Sequence, residues 1–277
     1  MPAVFAHDLY GRNVFQDLDR EIRNVIRREK DCFYLGVQGP DVLFYYRPWG
    51  SNPINEKGHN YHARPAMEIF AHGLEVMRNT EDIRKKNALQ AYLLGVACHF
   101  ALDHSLHGEI GRLEEETGYT HAGIETELDR RLLIGAEMEP VRAYTACHMK
   151  NTPMTRFAVM KVFKEDENVA EESIVTFKTM ERLFINTGEL FKRFVGFVMK
   201  RIGCYDKYYG MVMKKEPMAG LEEATDLLEK MAAEAVPFGV KVVRGLYDSM
   251  KNHDPLPKAL YGDFEGNMCE EYENWIG

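Results

Sequence analysis

The strongest constraint on the fold is the stretch from Ala91 to Arg130, where an apolar run carries ionisable side chains at regular steps. The segment Ala91–Ala97 is typical of a buried helix, and three polar residues follow it at intervals of four. Four residues turn an α-helix by about 400°, so residues at this spacing lie along one face. These residues are His99, Asp103 and His107. The pattern predicts one helix whose buried face carries imidazoles and a carboxylate.

A second pair with the same spacing follows about twenty residues later. His121 and Glu125 are again four residues apart, which places them on one helical face. Imidazole nitrogen and carboxylate oxygen are both zinc ligands, with bonds of about 2.0–2.2 Å. The two groups of residues therefore favour a metal centre between helices.

A structural interpretation competes with the metal interpretation. A histidine on an apolar helix is usually a core residue that is hydrogen-bonded to a carbonyl or a carboxylate. His99, Asp103, His107 and Glu109 could pair with one another and bind no ion. Leaving a buried polar group without a partner costs about 1–3 kcal/mol, and an unpaired charge costs more. The charges of these four side chains must be balanced either by pairing with one another or by a cation. The presence of two such clusters favours a cation.

Composition excludes some classes of protein. The chain has 277 residues, is 45% hydrophobic and 28% charged, and carries a formal net charge of −8. These values are ordinary for a globular protein, and one large helical domain over residues 1–277 accommodates the length. Nucleic-acid binders usually show a basic stripe, so the acidic balance argues against that partner. Divalent cations would reverse the charge locally and still admit a phosphoester.

The sequence also predicts a soluble, cytoplasmic protein. The five cysteines form no CxxC motif and are typical of reduced, mostly buried thiols. The first twelve residues lack the basic start of a secretion signal. Ala91–Ala97, the longest apolar stretch, is far too short for a transmembrane segment.

Helical periodicity extends along most of the chain, with no convincing alternating strand, repeat or nucleotide-binding motif. An irregular tail is expected over Pro255–Gly277, folded back on the body, and a turn-rich loop over Ser51–Gly58. Helices are predicted over 14–30, 64–78, 128–138, 155–163, 170–185, 188–201, 221–235 and 238–250. In this interpretation residues 126–277 serve as scaffold, and the functional side chains lie within residues 7–125.

Several isolated residues before Ala91 are weaker candidates. Asp41 follows Gly39-Pro40 and could be a helix N-cap, or a ligand or base in an aromatic-lined pocket. His59 and His62 stand at a predicted loop–helix junction, where either could be a ligand. His7, taken alone, fits a capping or solvent-facing residue better than a ligand.

Together these motifs resemble the zinc-dependent phospholipase C family and its relatives, the single-strand-specific nucleases. The resemblance rests on five motifs whose order and approximate spacing match the family. They are His7, the GPD sequence Gly39–Asp41, the G-x-x-x-H sequence Gly58–His62, the H-x-x-x-D-x-x-x-H sequence His99–His107 and the H-x-x-x-E sequence His121–Glu125.

The resemblance implies an all-α fold, a single compact multi-helix domain, with up to three Zn²⁺ ions. By motif, Asp41, His62 and His99 would bind one ion, and Asp103 would bridge it to a second ion that His7 serves. His107, His121 and Glu125 would bind the third. Asp41 would also be the catalytic residue, orienting or deprotonating the attacking water.

Some positions depart from the family pattern. Secreted members use a processed amino-terminal Trp as a ligand of the second ion, whereas this sequence begins Met1-Pro2. The second site could therefore be weak, empty or completed by another group such as Asp8. The step from Asp103 to His107 is shorter than in the secreted enzymes, so His104 competes with His107, as His59 competes with His62. No β-sandwich docking domain follows, which limits the expected membrane contact to a peripheral one.

The implied activity is zinc-dependent phosphoester hydrolysis of the phospholipase C type, in which a metal-activated hydroxide attacks phosphorus. The expected substrate is a small phosphoester or a phospholipid head group. Two alternatives remain open: a nuclease-like phosphodiesterase, which the net charge disfavours, and a non-catalytic helical metal-binding or interaction protein.

Overall fold

The computed structural model describes residues 3–184, 196–197, 200–201, 210 and 212–268, and this part of the chain is all-helical. Short 3-10 helices cover Gly39–Tyr45, Pro140–Arg142, Thr145–His148 and Lys258–Tyr261. The described ranges contain no strand, only an isolated bridge between Gly262 and Met268. The α-helices are Val4–Asp17 (α1), Arg20–Arg28 (α2), Lys30–Gly36 (α3), Pro53–His62 (α4), Met67–Arg78 (α5), Ile83–Thr117 (α6), His121–Gly135 (α7), Pro153–Val162 (α8), Glu167–Phe184 (α9), Glu222–Glu234 (α10) and Val236–Asn252 (α11). The predicted all-α fold is confirmed.

Helix α6 is the centre of the molecule. Asp82 caps its N-terminus by accepting hydrogen bonds from two backbone N–H groups, and Gly118 ends it in the left-handed conformation. Every residue from Ala91 to Asp103 is buried, as expected for a helix that is apolar all round and surrounded by other helices. Helices α1, α2, α3, α8, α10 and α11 all pack against it. The polar residues of its second half therefore lie inside the protein.

Two glycines allow α3 and α6 to approach backbone to backbone. A Cβ on Gly36 would lie 2.3 Å from the Tyr92 carbonyl oxygen, and a Cβ on Gly95 would lie 2.2 Å from that of Phe33. Because backbone atoms cannot move aside as a flexible side chain can, any other residue would push the helices apart. This contact holds the chain that follows α3 directly against the polar half of α6.

The amino-terminal helices differ from the predicted ones. The single helix predicted over 14–30 is two helices, because the extended backbone of Leu18, with ψ of 154°, ends α1 before α2 begins. Helix α1 also starts earlier than predicted, so His7 lies within it rather than before it.

The predicted loop over Ser51–Gly58 is mostly helix α4. Asn52 caps it by accepting hydrogen bonds from Ile54 and Asn55, with Pro53 in the first turn. His59 and His62 therefore lie in the last turn of α4 and, as predicted, precede the next helix, α5. The predicted continuation of α7 to residue 138 ends at Gly135 instead.

The later helices follow the predicted periodicity closely. The predicted ranges 155–163, 170–185, 221–235 and 238–250 correspond to α8, α9, α10 and α11. The helix predicted over 188–201 lies mostly outside the described residues. Cys32 and Cys98 are buried free thiols and Cys147 is exposed. None of the helices in the described ranges combines the length and apolar character of a bilayer span.

Candidate metal centre

Five elements bring the candidate ligands to one place in the molecule. The donors are His7 on α1, Asp41 on the 3-10 helix Gly39–Tyr45, His62 on α4, His99, Asp103 and His107 on α6, and His121 and Glu125 on α7. All are buried except His121, whose side chain is 31% exposed. Residues separated by more than a hundred positions in sequence thus share one polar interior.

Helix α1 is fixed in register with α7 by a buried carboxylate. Asp129 accepts hydrogen bonds from the backbone N–H groups of Phe5 and Ala6, at 3.0 and 2.8 Å. The first N–H groups of a helix lack intrahelical partners, and a carboxylate there also matches the helix dipole. Since Asp129 lies one turn after Glu125, this contact sets His7 opposite Glu125.

The glycine of the GPD motif is required by its backbone conformation and by its contact with His99. Gly39 has φ of +49°, and a Cβ there would fall 2.2 Å from Cδ2 of the His99 ring. Only glycine satisfies both the left-handed backbone and the contact with the imidazole. The turn at Gly39 thus directs the first residues of the 3-10 helix, including Asp41, against His99.

Helix α4 is tied to the same 3-10 helix. Asn55 donates hydrogen bonds from its side-chain amide to the carbonyls of Leu43 and Tyr46, each at 2.9 Å. At the other end of α4, His62 donates from Nδ1 to the Gly58 carbonyl at 2.8 Å, which leaves Nε2 facing Asp41 Oδ1 at 3.1 Å. Nε2 of His62 is therefore the nitrogen offered to the centre.

Asp103 is the central carboxylate. Its Oδ1 lies 3.2 Å from His7 Nε2 and 3.4 Å from His107 Nε2. Its Oδ2 lies 2.9 Å from His99 Nε2 and 3.7 Å from His62 Nε2. Each oxygen therefore serves a different pair of imidazoles, which is the arrangement that a carboxylate bridging two cations requires.

The candidate ligands form three groups whose donor atoms lie within 4.8 Å of one another. His107, His121 and Glu125 make one group, the same triad that the family resemblance assigns to one ion. The other two share His99 and divide the remaining donors differently from the motif assignment. They are His7–Asp41–His99 and His62–His99–Asp103.

The donor set and its spacing fit zinc. A tetrahedral zinc ion with bonds of about 2.0–2.2 Å holds neighbouring ligand atoms about 3.3–3.6 Å apart. The oxygen–nitrogen distances around Asp103 run from 2.9 to 3.7 Å, and those from Glu125 to His121 and His107 are 3.6 and 3.7 Å. A gap of about 10 Å³ also separates His7, Asp103, His107 and Glu125. Imidazole and carboxylate together, without thiolate, are typical of catalytic zinc sites.

The buried carboxylates of the centre need positive charge beside them. Burial opposes ionisation of Asp103, but His99 and His107 nevertheless hold its pKa well below the usual range. Burial likewise opposes the charged form of His107, yet Asp103 and then Glu125 raise its pKa well above the usual value. Burial and the neighbouring His99 lower the pKa of His7. Without an ion, protonated imidazoles must neutralise Asp103, and a divalent cation would supply the same charge.

A cavity of about 300 Å³ opens over the centre. Polar donors and Phe44 line it together, and it is large enough for a small phosphoester group. Its lining consists of Asp41, Phe44, His59, His62, His107, His121, Ala122, Glu125 and Glu265.

The competing residues do not join the candidate ligands. His104 donates from Nδ1 to the Asp263 carbonyl at 2.8 Å, and exposed His59 packs against Phe44 at the cavity wall. Asp8 pairs with Arg12 at 3.0 Å. None of these three belongs to a donor group in the described part of the chain. The geometry therefore favours His107 over His104 and His62 over His59.

Sequence reasoning missed two residues at the centre. Asp129 continues the four-residue series of His121 and Glu125, so the same spacing argument could have found it. Glu265 lies 3.4 Å from His107 Nδ1, and no motif marks it. It comes from the tail, which as predicted folds back on the body: the Phe264 N–H donates to the His62 carbonyl at 3.1 Å.

The comparisons with known proteins agree with this geometry. The family model described as zinc dependent phospholipase C matches residues 4–169. The chain belongs to the zinc-dependent phospholipase C family. Comparison with curated proteins and with solved structures gave no match. The family match includes all eight candidate ligands, whereas Glu265 lies outside it.

Proposed function

We propose that this protein is a zinc-dependent phosphoester hydrolase of the phospholipase C type. One observation carries the proposal: five imidazoles and three carboxylates converge beneath a cavity of about 300 Å³. Family membership supports the same chemistry. A purely structural cluster would have no need of a cavity that exposes its ligands.

The charge of the centre suits an anionic substrate once it is loaded. Asp41, Asp103 and Glu125 contribute three negative charges, and up to three divalent cations would contribute six positive ones. The locally positive site attracts a phosphoester although the chain as a whole is acidic. Zinc ions held by these residues would supply Lewis acidity and would lower the pKa of coordinated water to about 7.

The chain's own residues position the reactants. Asp103 and the imidazoles around it hold their geometry through backbone contacts, such as those of His62 with Gly58 and of His99 with Val37. Asp41 both belongs to a donor group and lines the cavity, so its carboxylate can orient the attacking water and take its proton. The aromatic face of Phe44 and the half-exposed His121 bound the space for the ester.

The proposal extends to the substrate and the domain organisation. A small phosphoester or a phospholipid head group fits the cavity, whereas a nucleic-acid strand would meet a surface of net negative charge. We also propose one domain over residues 1–277. Helices α10 and α11 follow the region that the family model matches, and both pack against α6 within that region.

Metal analysis combined with a chromogenic phosphodiester assay tests the proposal. We expect two or three zinc equivalents per chain and turnover that requires them. Bound zinc without turnover on phosphodiester, phosphomonoester and head-group substrates would instead assign the chain to non-catalytic metal binding. Preferential cleavage of single-stranded DNA would assign it to the nuclease branch.

A further inference from the structure

The turn Asp263–Asn267 closes one wall of the candidate metal centre. Asp263 Oδ1 accepts hydrogen bonds from the N–H groups of Glu265 and Asn267, at 3.0 and 2.8 Å. The preceding Gly262 carbonyl accepts from Ala66 at 2.9 Å, and the Phe264 N–H donates to the His62 carbonyl. The turn is thus a well-connected part of the site although it lies outside the family match.

Phe264 anchors the turn by packing its side chain against two candidate ligands. Its side chain is fully buried, and its ring centroid lies 5.2 Å from that of His62 and 5.7 Å from that of His99. A ring in contact with two candidate ligands leaves little freedom to the residue that follows it. Glu265 is therefore held at the cavity wall with a carboxylate that is 44% exposed.

His107 offers Nε2 to the centre and Nδ1 to the turn. Nε2 lies 3.4 Å from Asp103 Oδ1 and 3.7 Å from Glu125 Oε1. Nδ1 is buried and makes no hydrogen bond among the described residues, and Glu265 Oε2 lies 3.4 Å from it. A neutral imidazole carries one proton, and the nitrogen that keeps it cannot bind a cation. An acceptor at Nδ1 holds the proton there and leaves the Nε2 lone pair free.

Building on the proposed zinc site, we propose that Glu265 is a positioning residue for His107. In the zinc-loaded protein its carboxylate closes this gap and accepts the Nδ1–H of His107, which fixes the tautomer and ring orientation and presents Nε2 to the ion shared with His121 and Glu125. In His62 and His99 a backbone carbonyl accepts the Nδ1–H instead, at 2.8 and 3.3 Å from the nitrogen. In His107 the proposed acceptor is a side chain, that of Glu265.

Three variants test the role. Glu265→Leu keeps the bulk and removes the acceptor, whereas Glu265→Gln keeps the shape and a neutral acceptor. The matched control is Glu68→Leu on α5, whose carboxylate is 43% exposed and pairs with Arg64 at 3.6 Å away from the cavity lining. Each protein is loaded with Zn²⁺ and titrated with a competing chelator to give the affinity of each equivalent.

We expect Glu265→Leu to weaken one zinc equivalent by about 10–100-fold and to leave the others unchanged. Glu265→Gln should weaken the same equivalent less, by about 3–10-fold, because a neutral acceptor forms a weaker hydrogen bond. Glu68→Leu should match the wild type. Nitrogen-15 NMR of the zinc-loaded wild type should show His107 protonated at Nδ1.

Two results would overturn the inference while the proposed function stands. One is wild-type affinity for every equivalent in Glu265→Leu, or in Glu265→Gln if the leucine variant does not fold. The other is equal weakening in both variants, which would assign the effect to charge at the cavity mouth rather than to an acceptor. Failure of the wild type to bind zinc would refute the proposed function as well.

Discussion

The centre has two regions that are held in different ways. The inner region, formed by His7, Asp41, His62, His99 and Asp103, is buried, and backbone carbonyls orient two of its imidazoles. The outer region, His107, His121 and Glu125, includes the partly exposed His121, although Asp41 and His62 of the inner region also line the cavity. Its imidazoles face side-chain carboxylates instead: Glu265 lies 3.4 Å from His107 Nδ1, and Glu114 lies 4.0 Å from His121 Nδ1.

The contrast teaches which part of the site can be adjusted by substitution. A backbone carbonyl cannot be mutated away, and its position follows from helix packing. A partly exposed carboxylate such as that of Glu265 or Glu114 can be replaced by substitution, and solvent screens its charge. We therefore expect the inner region to hold its ions tightly and the outer region to exchange its ion readily.

Stepwise chelation gives the largest expected effect. A weak chelator should remove one ion with little loss of stability, and a strong one should then remove the inner ions. Each ion stabilises the folded state by about 4 kcal/mol when free zinc exceeds its Kd a thousandfold, so two inner ions contribute about 8 kcal/mol. Calorimetry with atomic absorption follows both stages. A melting temperature that is insensitive to exhaustive chelation would contradict the buried inner site.

Asp103→Asn should remove the bridge between the regions. The amide offers one oxygen acceptor in place of two, while four imidazoles surround this side chain. We expect turnover of a phosphodiester to fall roughly 10³-fold and the zinc content to drop. Asp226→Asn, on the exposed face of α10, is a control of the same chemistry. Wild-type turnover in Asp103→Asn would show that Asp103 is not a shared ligand.

Asp129→Ala should uncouple α1 from α7. The buried N–H of Ala6 and the partly buried N–H of Phe5 would lose their acceptor, which costs about 3 kcal/mol in the free energy of unfolding. Asp129→Asn keeps one acceptor oxygen and should lose about half as much. Urea denaturation of the chelated proteins measures both. Equal stability of Asp129→Ala and wild type would show that α1 is held by packing alone.

His148 makes the support of the inner region sensitive to pH. Gln38 donates from Nε2 to the Val4 carbonyl and lies 3.1 Å from His148 Nε2, which must therefore accept. Burial lowers the pKa of His148 to about 4, although Asp8 opposes the shift. The pKa of this imidazole in the unfolded state is about 6.5. The contribution of neutral His148 to the free energy of unfolding is therefore complete above pH 6.5 and is lost as pH falls toward 4.

The expected loss attributable to His148 is about 2 kcal/mol between pH 7.5 and pH 5 in chelated protein. Urea denaturation at the two pH values measures it. His148→Gln should reduce the pH dependence by that amount. An unchanged pH dependence in the variant would mean that His148 does not titrate in this interval.

Glu114→Gln should have the smallest effect. Its carboxylate is 46% exposed and 4.0 Å from His121 Nδ1, a distance at which solvent weakens the interaction. We expect less than about threefold weaker zinc binding at the outer region, in the same chelator titration. A larger loss than that of Glu265→Leu would reverse the order that we assign to the two carboxylates.

The sequence predicts the ligands on α6 better than it predicts the residues that hold the ligands in position. Four-residue spacing on one apolar helix predicts that His99, Asp103 and His107 share a face, because helical geometry alone decides it. The position of Glu265 depends on how the end of the chain packs over α6, which local periodicity does not encode. The start of α1 ahead of His7 is not evident in the sequence, because the helix has no side-chain cap at its N-terminal end among neighbouring residues. Its cap, Asp129, lies more than a hundred residues away.

The backbone contact between Gly36 and Gly95 has a consequence for anyone who wishes to retarget this protein. One added carbon at either position would push α3 and α6 apart and displace the candidate metal centre that they position, although neither residue lines the cavity. Library design should leave this pair untouched and diversify His59, which is exposed at the cavity wall, whereas Phe44 is buried with its ring stacked on His62.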